Sequence, residues 1–125
     1  MSTVYDAGVL IAADRNDRQV WADHRVRLEA GIVPITTAPV IAQASRSSRQ
    51  AQLRRFLRGC QVIAFSAEQS HEVGALLAKT RTTDVVDAHV VVVASGTGSV
   101  VVTSDPEDLR ALSHHARPRV TVIGF

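Results

Sequence analysis

Short apolar runs alternate with segments of helical periodicity along the whole chain. The apolar runs are rich in β-branched residues, which suit a pleated and buried surface, and they predict β-strands. These runs cover 3–5, 32–36, 61–65, 100–102 and 119–123. The intervening segments predict helices over 7–13, 17–30 and 53–57, and from Pro39, Ser66, Asp87 and Asp105 onward. Strands that alternate with helices in this way predict a parallel sheet between helical layers.

The segment from Asp87 to Ala94 is ambiguous because it contains four consecutive valines. Valine favours strands, so this run and the valines at 100–102 could form a hairpin across the Gly and Ser residues between them. The alternation of strands and helices instead favours a buried helix that ends near Gly96. We therefore expect an α/β fold with a central, mostly parallel sheet of four to five short strands, flanked by helices.

Length and composition indicate one globular domain over residues 1–125. The 125 residues are 46% hydrophobic and 21% charged, which is enough apolar material for a single buried core. No apolar run approaches the roughly 18 residues that a membrane span needs, and the first residues lack the basic start of a signal peptide. We therefore expect a cytoplasmic protein that does not enter the membrane. Cys60 is the only cysteine, which excludes an internal disulfide and a cysteine-based metal site.

Positive charge is concentrated in the middle of the chain. No acidic residue occurs between Glu29 and Glu68. The arginines in that interval are Arg46, Arg49, Arg54, Arg55 and Arg58. They are compatible with a solvated helix face, and equally with a surface that contacts RNA phosphates or an acidic partner.

Aspartates end two of the predicted strands. Asp6 follows the first strand and Asp105 follows a later one, and the carboxyl ends of parallel strands share one edge of a sheet. Asp87 begins a helix and can reach the same crevice, with Asp84 and Asp108 one turn from Asp87 and Asp105. Clustered carboxylates repel one another unless a divalent cation neutralises them, and carboxylate oxygens suit Mg²⁺ or Mn²⁺. Helix capping is the alternative role, above all for Asp84 and Asp108.

Three phrases of the sequence resemble the acidic motifs of PIN domains. The phrase YDAGVL at 5–10 resembles the family's opening, in which an aspartate ends the first strand. The phrase DVVDAHV at 84–90 resembles the third acidic motif, and VTSDPEDL at 102–109 resembles the fourth. No single phrase is specific to this family. The order of the three phrases and their separations in so short a chain are specific to it, and the resemblance covers nearly the whole sequence.

The resemblance implies a three-layer PIN fold, Mg²⁺ or Mn²⁺ bound by acidic residues, and endonucleolytic cleavage of RNA. Most short stand-alone PIN proteins are VapC-type toxins, which are homodimeric and held inactive by a VapB-type antitoxin. By motif, Asp6, Asp87 and Asp105 would bind the metal and serve catalysis. Thr103 would orient a metal-bound water, and Asp84 and Asp108 would assist from outside the set of metal ligands.

Gln43 departs from the family pattern, which usually has a glutamate at this position of the segment 37–46. Glutamine keeps a carbonyl acceptor but removes a charge, so it can hold a catalytic water while attracting a divalent ion less. Three explanations compete: a natural subgroup in which Asp84 or Asp108 makes up the charge, a degenerate nuclease, or a deliberate inactivating change. The first is favoured because the remaining acids can still supply charge to a hard cation.

Functions of different classes follow from these patterns. The leading hypothesis is an endoribonuclease toxin in which a metal-bound water attacks an RNA phosphodiester while the arginine-bearing region guides the backbone. The alternative is a catalytically impaired PIN domain, with Gln43 in place of glutamate, that binds protein or RNA. A third hypothesis is a phospho-accepting, receiver-like domain, which also has a parallel sheet and an acidic edge. Such a domain requires a lysine at a strand end near the acidic residues. The only lysine, Lys79, lies at the end of a predicted helix.

Overall fold

The computed structural model describes residues 2–125 as five strands and seven helices. The strands are β1 (Thr3–Tyr5), β2 (Ile35–Thr37), β3 (Gln61–Ile63), β4 (Val100–Thr103) and β5 (Val122–Gly124). The helices are α1 (Ala7–Asp14), α2 (Arg18–Glu29), α3 (Ala38–Ala44), α4 (Ala51–Leu57), α5 (Ala67–Thr80), α6 (Val85–Thr97) and α7 (Pro106–His114). Each predicted strand and helix is present in the predicted order.

The strands form one parallel sheet in the order β3-β2-β1-β4-β5. Strand β1 lies at the centre, with Tyr5 opposite Val102 of β4. The chain builds outward from β1 to β3 and then resumes on the other side of β1 at β4. Such a reversal opens a crevice at the carboxyl ends of the two strands that flank it, and here those ends lead into Asp6 and Asp105. The predicted α/β class and parallel sheet are confirmed.

Three strands differ in extent from the sequence prediction. Strand β2 begins after Pro34 rather than at Ile32, because proline supplies no amide for the ladder; its carbonyl instead accepts the Gln61 amide at 2.8 Å. Strand β3 ends at Ile63, where its pairing with Thr37 ends, and not at Phe65. Strand β5 is displaced toward the end of the chain, at Val122–Gly124 instead of 119–123, because it pairs with 101–103 of β4.

The valine-rich segment is helical, as the alternation predicted. The Asp84 side chain caps α6 by accepting the Asp87 amide at 3.0 Å. The helix ends at Thr97, and Gly98, with φ of 66°, adopts the left-handed conformation that glycine tolerates best. The predicted end near Gly96 was therefore one residue short. Burial of Val90, Val91 and Val93 in the core explains why packing overrides the strand preference of the valines.

Strand β1 is held in the core by aromatic packing around Tyr5, whose side chain is fully buried. Its hydroxyl forms a 3.0 Å hydrogen bond with Nδ1 of His24, the buried histidine of α2. Phe56 of α4 stacks on the His24 ring with a centroid separation of 4.0 Å. Burial raises the pKa of Tyr5 to about 12, so the phenol stays neutral. These contacts fix the strand that delivers Asp6 to the sheet edge.

The helices pack in two groups beside the sheet. Helix α1 contacts α2, α3 and α4, whereas α6 contacts both α5 and α7.

Within residues 2–125, none of the helices combines the length and the apolar character that a membrane crossing requires.

Candidate active site

Asp6 lies at the end of β1 with a buried carboxylate. It occupies the N-cap position of α1, yet its side chain makes no capping hydrogen bond to that helix. Oδ2 accepts the Thr103 hydroxyl at 2.8 Å. Oδ1 is buried and has no hydrogen-bond partner among residues 2–125. A buried anionic oxygen without a partner is costly, and it is the kind of atom that a cation would satisfy.

Thr103 joins the two strand ends that form the crevice. Its hydroxyl donates to Asp6 and accepts the Asp105 amide at 3.0 Å, and the side chain is fully buried. Since the single hydroxyl proton is engaged by Asp6, Thr103 positions that carboxylate directly. Its predicted role toward a metal-bound water stays a prediction.

Asp84 and Asp87 reach the site from the start of α6. Asp84 caps the helix, so the capping alternative raised from the sequence is confirmed for this residue. The Asp87 carboxyl is half-buried, and burial, together with the charges of Asp6, Asp84 and Asp108, raises its pKa to about 7. The fold thus brings Asp87 within electrostatic reach of Asp6, as the motif order predicted.

Asp105 and Asp108 approach from α7. Asp105 occupies the N-cap position of that helix without a capping side-chain bond, and Asp108 lies in its first turn. A hydrogen bond with Asp105, together with the charge of that carboxylate, raises the pKa of Asp108. Burial raises the pKa of Asp6, the nearby Ala7 amide and the Thr103 hydroxyl lower it, and the charges of Asp84 and Asp105 raise it further. Five carboxylates therefore share one electrostatic environment.

A small cavity opens beside part of this cluster. It has a volume of about 210 Å³ and is lined by Thr80, Thr82, Asp84, Asp87, Asp108, Ala111 and Leu112. We call this group of carboxylates, made of Asp6, Asp84, Asp87, Asp105 and Asp108, the acidic cluster.

The donor chemistry of the acidic cluster fits a hard cation. All its side-chain donors are carboxylate oxygens, and Oδ1 of Asp6 is buried without a hydrogen-bond partner within residues 2–125. No three Asp, Glu, His or Cys side chains of the described residues 2–125 already converge as a complete metal-binding set. Metal ligation by Asp6, Asp87 and Asp105 therefore stays a prediction.

Gln43 lies apart from that cavity. It is exposed on α3 and lines a different cavity with Asp14, Arg46 and Gln50, in which none of the acidic cluster takes part. The catalytic role predicted for Gln43 beside the carboxylates stays a prediction.

The arginines of the acid-free interval are exposed, but several are engaged locally. Arg46 donates to the carbonyls of Ala42 and Ser45, and Arg54 donates to that of Ser48. The Arg55 guanidinium lies 4.6 Å from the Trp21 ring centroid, a cation–π contact. Their predicted contact with RNA stays a prediction.

The sequence analysis missed the close approach of Gly8 and Ser104. A Cβ on Gly8 would lie 2.0 Å from Ser104 Oγ. Only glycine at this position therefore lets the turn between β4 and α7 pack against the start of α1. A glycine among good helix formers, two residues after Asp6, was the available signal.

The fold recurs in solved structures of low sequence identity. One chain of the crystal structure of VapBC2 from Rickettsia felis, bound to a DNA fragment from their promoter, superposes with a TM-score of 0.77. The identity is 15%, and the alignment covers 100% of this chain and 99% of that chain. PAE2754 from Pyrobaculum aerophilum superposes with a TM-score of 0.65 at 21% identity, over 99% of this chain and 92% of that chain. No protein-family model and no curated protein matches the sequence. The chain has the PIN-like fold that its acidic motifs predicted.

Proposed function

We propose that this protein is a metal-dependent endoribonuclease that acts at the acidic cluster. The observation that carries the proposal is the buried Asp6 carboxylate, which is fixed by Thr103 through one oxygen and lacks a partner at the other. A folded protein accepts such a cost mainly at functional positions. The PIN-like fold and the order of the acidic motifs support the same chemistry.

Different residues would have different roles at the acidic cluster. Asp6, Asp87 and Asp105 would hold Mg²⁺ or Mn²⁺, and Thr103 would keep Asp6 in its orientation. The capping bond from the Asp87 amide to Asp84 fixes the start of α6, which limits how far Asp87 can move. When bound, the cation would supply a Lewis acid for the phosphodiester and a water of lowered pKa.

A toxin–antitoxin setting is the proposed biological context. The structure of VapBC2 bound to a DNA fragment from their promoter supports this setting, because one of its chains shares this fold over the full length. We propose a VapB-type antitoxin as the partner, a homodimer as the assembled form and RNA in the cytoplasm as the target. Co-expression with a neighbouring antitoxin gene product, followed by size-exclusion chromatography with light scattering, tests both partner and dimer.

The direct test of the activity is cleavage of total RNA with Mg²⁺ or Mn²⁺ and with EDTA. The protein as it stands should cut only with metal. The Gln43→Glu variant tests the second candidate, an impaired domain that binds without cutting, because it restores the carboxylate that the family usually has at this position. If Gln43→Glu cuts and the unaltered chain does not, the unaltered chain is a silenced nuclease. If neither cuts although both fold, the nuclease proposal is wrong.

A further inference from the structure

A second polar cavity lies between α1, α3 and the turn that leads into α4. Its volume is about 370 Å³, within the range of sites that bind small ligands. Its lining residues are Ile11, Asp14, Arg15, Gln43, Ala44, Arg46, Ser47 and Gln50. We call it the α1–α3 cavity. Nothing in the proposed catalytic chemistry uses these side chains.

The wall of the α1–α3 cavity is fixed by Gln50. Its Oε1 accepts the amides of Arg46 at 2.6 Å and Ser47 at 3.0 Å. Its Nε2 donates to the Ala44 carbonyl at 2.9 Å and to Oδ2 of Asp14 at 3.1 Å. One side chain thus ties the α3–α4 turn to the end of α1, so the cavity is held in shape before any ligand enters.

Other polar groups of the cavity have no assigned partner. The side chains of Gln43 and Arg15 are exposed and form no hydrogen bond within residues 2–125, and Asp14 accepts one there at Oδ2, from Gln50. A glutamine amide both donates and accepts, a carboxylate accepts from amino groups, and arginine binds phosphate. These are the groups that read the edge of a nucleobase carrying an exocyclic amino group.

The α1–α3 cavity and the acidic cluster lie along the same helix. Asp6 precedes α1 and Asp14 ends it, so the two are separated by about 12 Å along the helix axis at 1.5 Å per residue. An RNA strand with its scissile phosphate at Asp6 could therefore place a neighbouring nucleotide in the cavity.

We propose that the α1–α3 cavity binds one nucleotide of single-stranded RNA, with Gln43 and Asp14 contacting the base and Arg15 contacting a phosphate. This inference rests on the proposed ribonuclease function and gives it a specificity site. The base is adenine, cytosine or guanine rather than uracil, because uracil alone has no exocyclic amino group to donate to Asp14. Gln43 is then a substrate-binding residue, which explains why a neutral amide can stand where a metal ligand was expected.

The test is binding of fluorescein-labelled RNA hexamers of A, C or U, measured by anisotropy in EDTA so that no cleavage occurs. The unaltered chain should bind the A or C hexamer at least about 10-fold more tightly than the U hexamer, the discrimination that about 1.4 kcal/mol of base contacts provides. Gln43→Ala and Asp14→Asn should each remove most of that difference. Arg18→Ala and Gln19→Ala on α2 are matched controls outside the cavity, and thermal melts verify that every variant is folded.

The outcomes separate the cavity proposal from the nuclease proposal. Equal affinity for the three hexamers, or unchanged preference in Gln43→Ala, overturns the cavity proposal even when Mg²⁺-dependent cleavage is present. Base preference that depends on Gln43 supports the cavity proposal, and a parallel absence of cleavage would then count against the nuclease alone.

Discussion

The Thr103 hydroxyl donates a 2.8 Å hydrogen bond to Oδ2 of Asp6 and thereby ties the end of β4 to the end of β1 at the centre of the sheet. Both side chains are buried, so the bond is not in exchange with solvent. It sets the direction of the carboxylate on which the proposed metal chemistry depends.

Replacing Thr103 with valine keeps the shape of the side chain and removes this bond. Oδ2 of Asp6 would then lack a hydrogen-bond partner, as Oδ1 does in the unaltered protein. We therefore expect a loss of about 1–3 kcal/mol in the free energy of unfolding. RNA cleavage should fall more than 10-fold. Denaturant melts and initial cleavage rates measure the two effects. Thr121→Val, an exposed threonine before β5, is the matched control. Activity equal to that of the unaltered chain would show that Thr103 does not position Asp6.

Asp87 should make the stability of the metal-free protein depend on pH. Its folded pKa of about 7 lies above the model-peptide value of 3.8, so its favourable contribution is complete below about pH 4 and is lost as the pH rises through about 7. The full shift corresponds to about 4 kcal/mol, but the half-exposed carboxyl is screened by solvent, and we expect about 1–2 kcal/mol.

Urea melts of the unaltered chain and of Asp87→Asn between pH 4 and pH 8 measure this dependence. The variant should be the more stable protein at pH 8, and its stability should fall less as the pH rises. Glu29→Gln, at the exposed end of α2, should retain the slope of the unaltered chain. Parallel curves for the unaltered chain and Asp87→Asn would contradict the electrostatic coupling of the cluster.

Divalent cations should raise the melting temperature through the acidic cluster. At 10 mM Mg²⁺, a dissociation constant near 1 mM corresponds to about 1.4 kcal/mol, or roughly 4 °C. The shift should be larger at pH 8 than at pH 6, because the cation competes with the proton held by Asp87. Calorimetry or dye-based melts would register it. Asp6→Asn should lose the Mg²⁺ shift, and retention of the full shift in that variant would place any bound ion elsewhere.

Gly8 should resist substitution because of Ser104. In Gly8→Ala the new methyl group would lie 2.0 Å from Ser104 Oγ and 2.7 Å from its Cβ, so the turn beside the acidic cluster must move. We expect a loss of about 1–3 kcal/mol and lower activity. Gly74→Ala in α5 faces open space and should instead be neutral or stabilising. A Gly8→Ala/Ser104→Gly double variant should recover stability, and failure to do so would assign the cost to another contact.

The order of the elements was predictable because each strand and helix carries its own periodicity. The first and last residues of β2 and β5 were not predictable. They depend on which residues of the neighbouring strand supply hydrogen bonds, and the local sequence does not encode that pairing. Asp6 and Asp105 could be assigned to one edge because parallel strands end together, whereas Asp87 was assigned through the motif at the start of its helix.

The position of Gln43 could not be predicted in the same way. Its surroundings are set by Gln50, which closes the α3–α4 turn onto Asp14 of α1 through contacts up to 36 residues apart in sequence. The fit of Ser104 over Gly8 is likewise a tertiary contact, visible in sequence only as an unexplained glycine in a helix.

The most direct measurement is the single-turnover cleavage rate of a defined RNA in Mg²⁺ by the unaltered chain and by Asp6→Asn. The two side chains have the same shape, and circular dichroism and a thermal melt establish that both proteins are folded. We predict metal-dependent cleavage by the unaltered chain and a rate at least about 100-fold lower for the variant, the magnitude expected when a metal ligand is lost. Equal rates for the two proteins, or cleavage that persists in EDTA, would contradict a metal-dependent nuclease site at the acidic cluster.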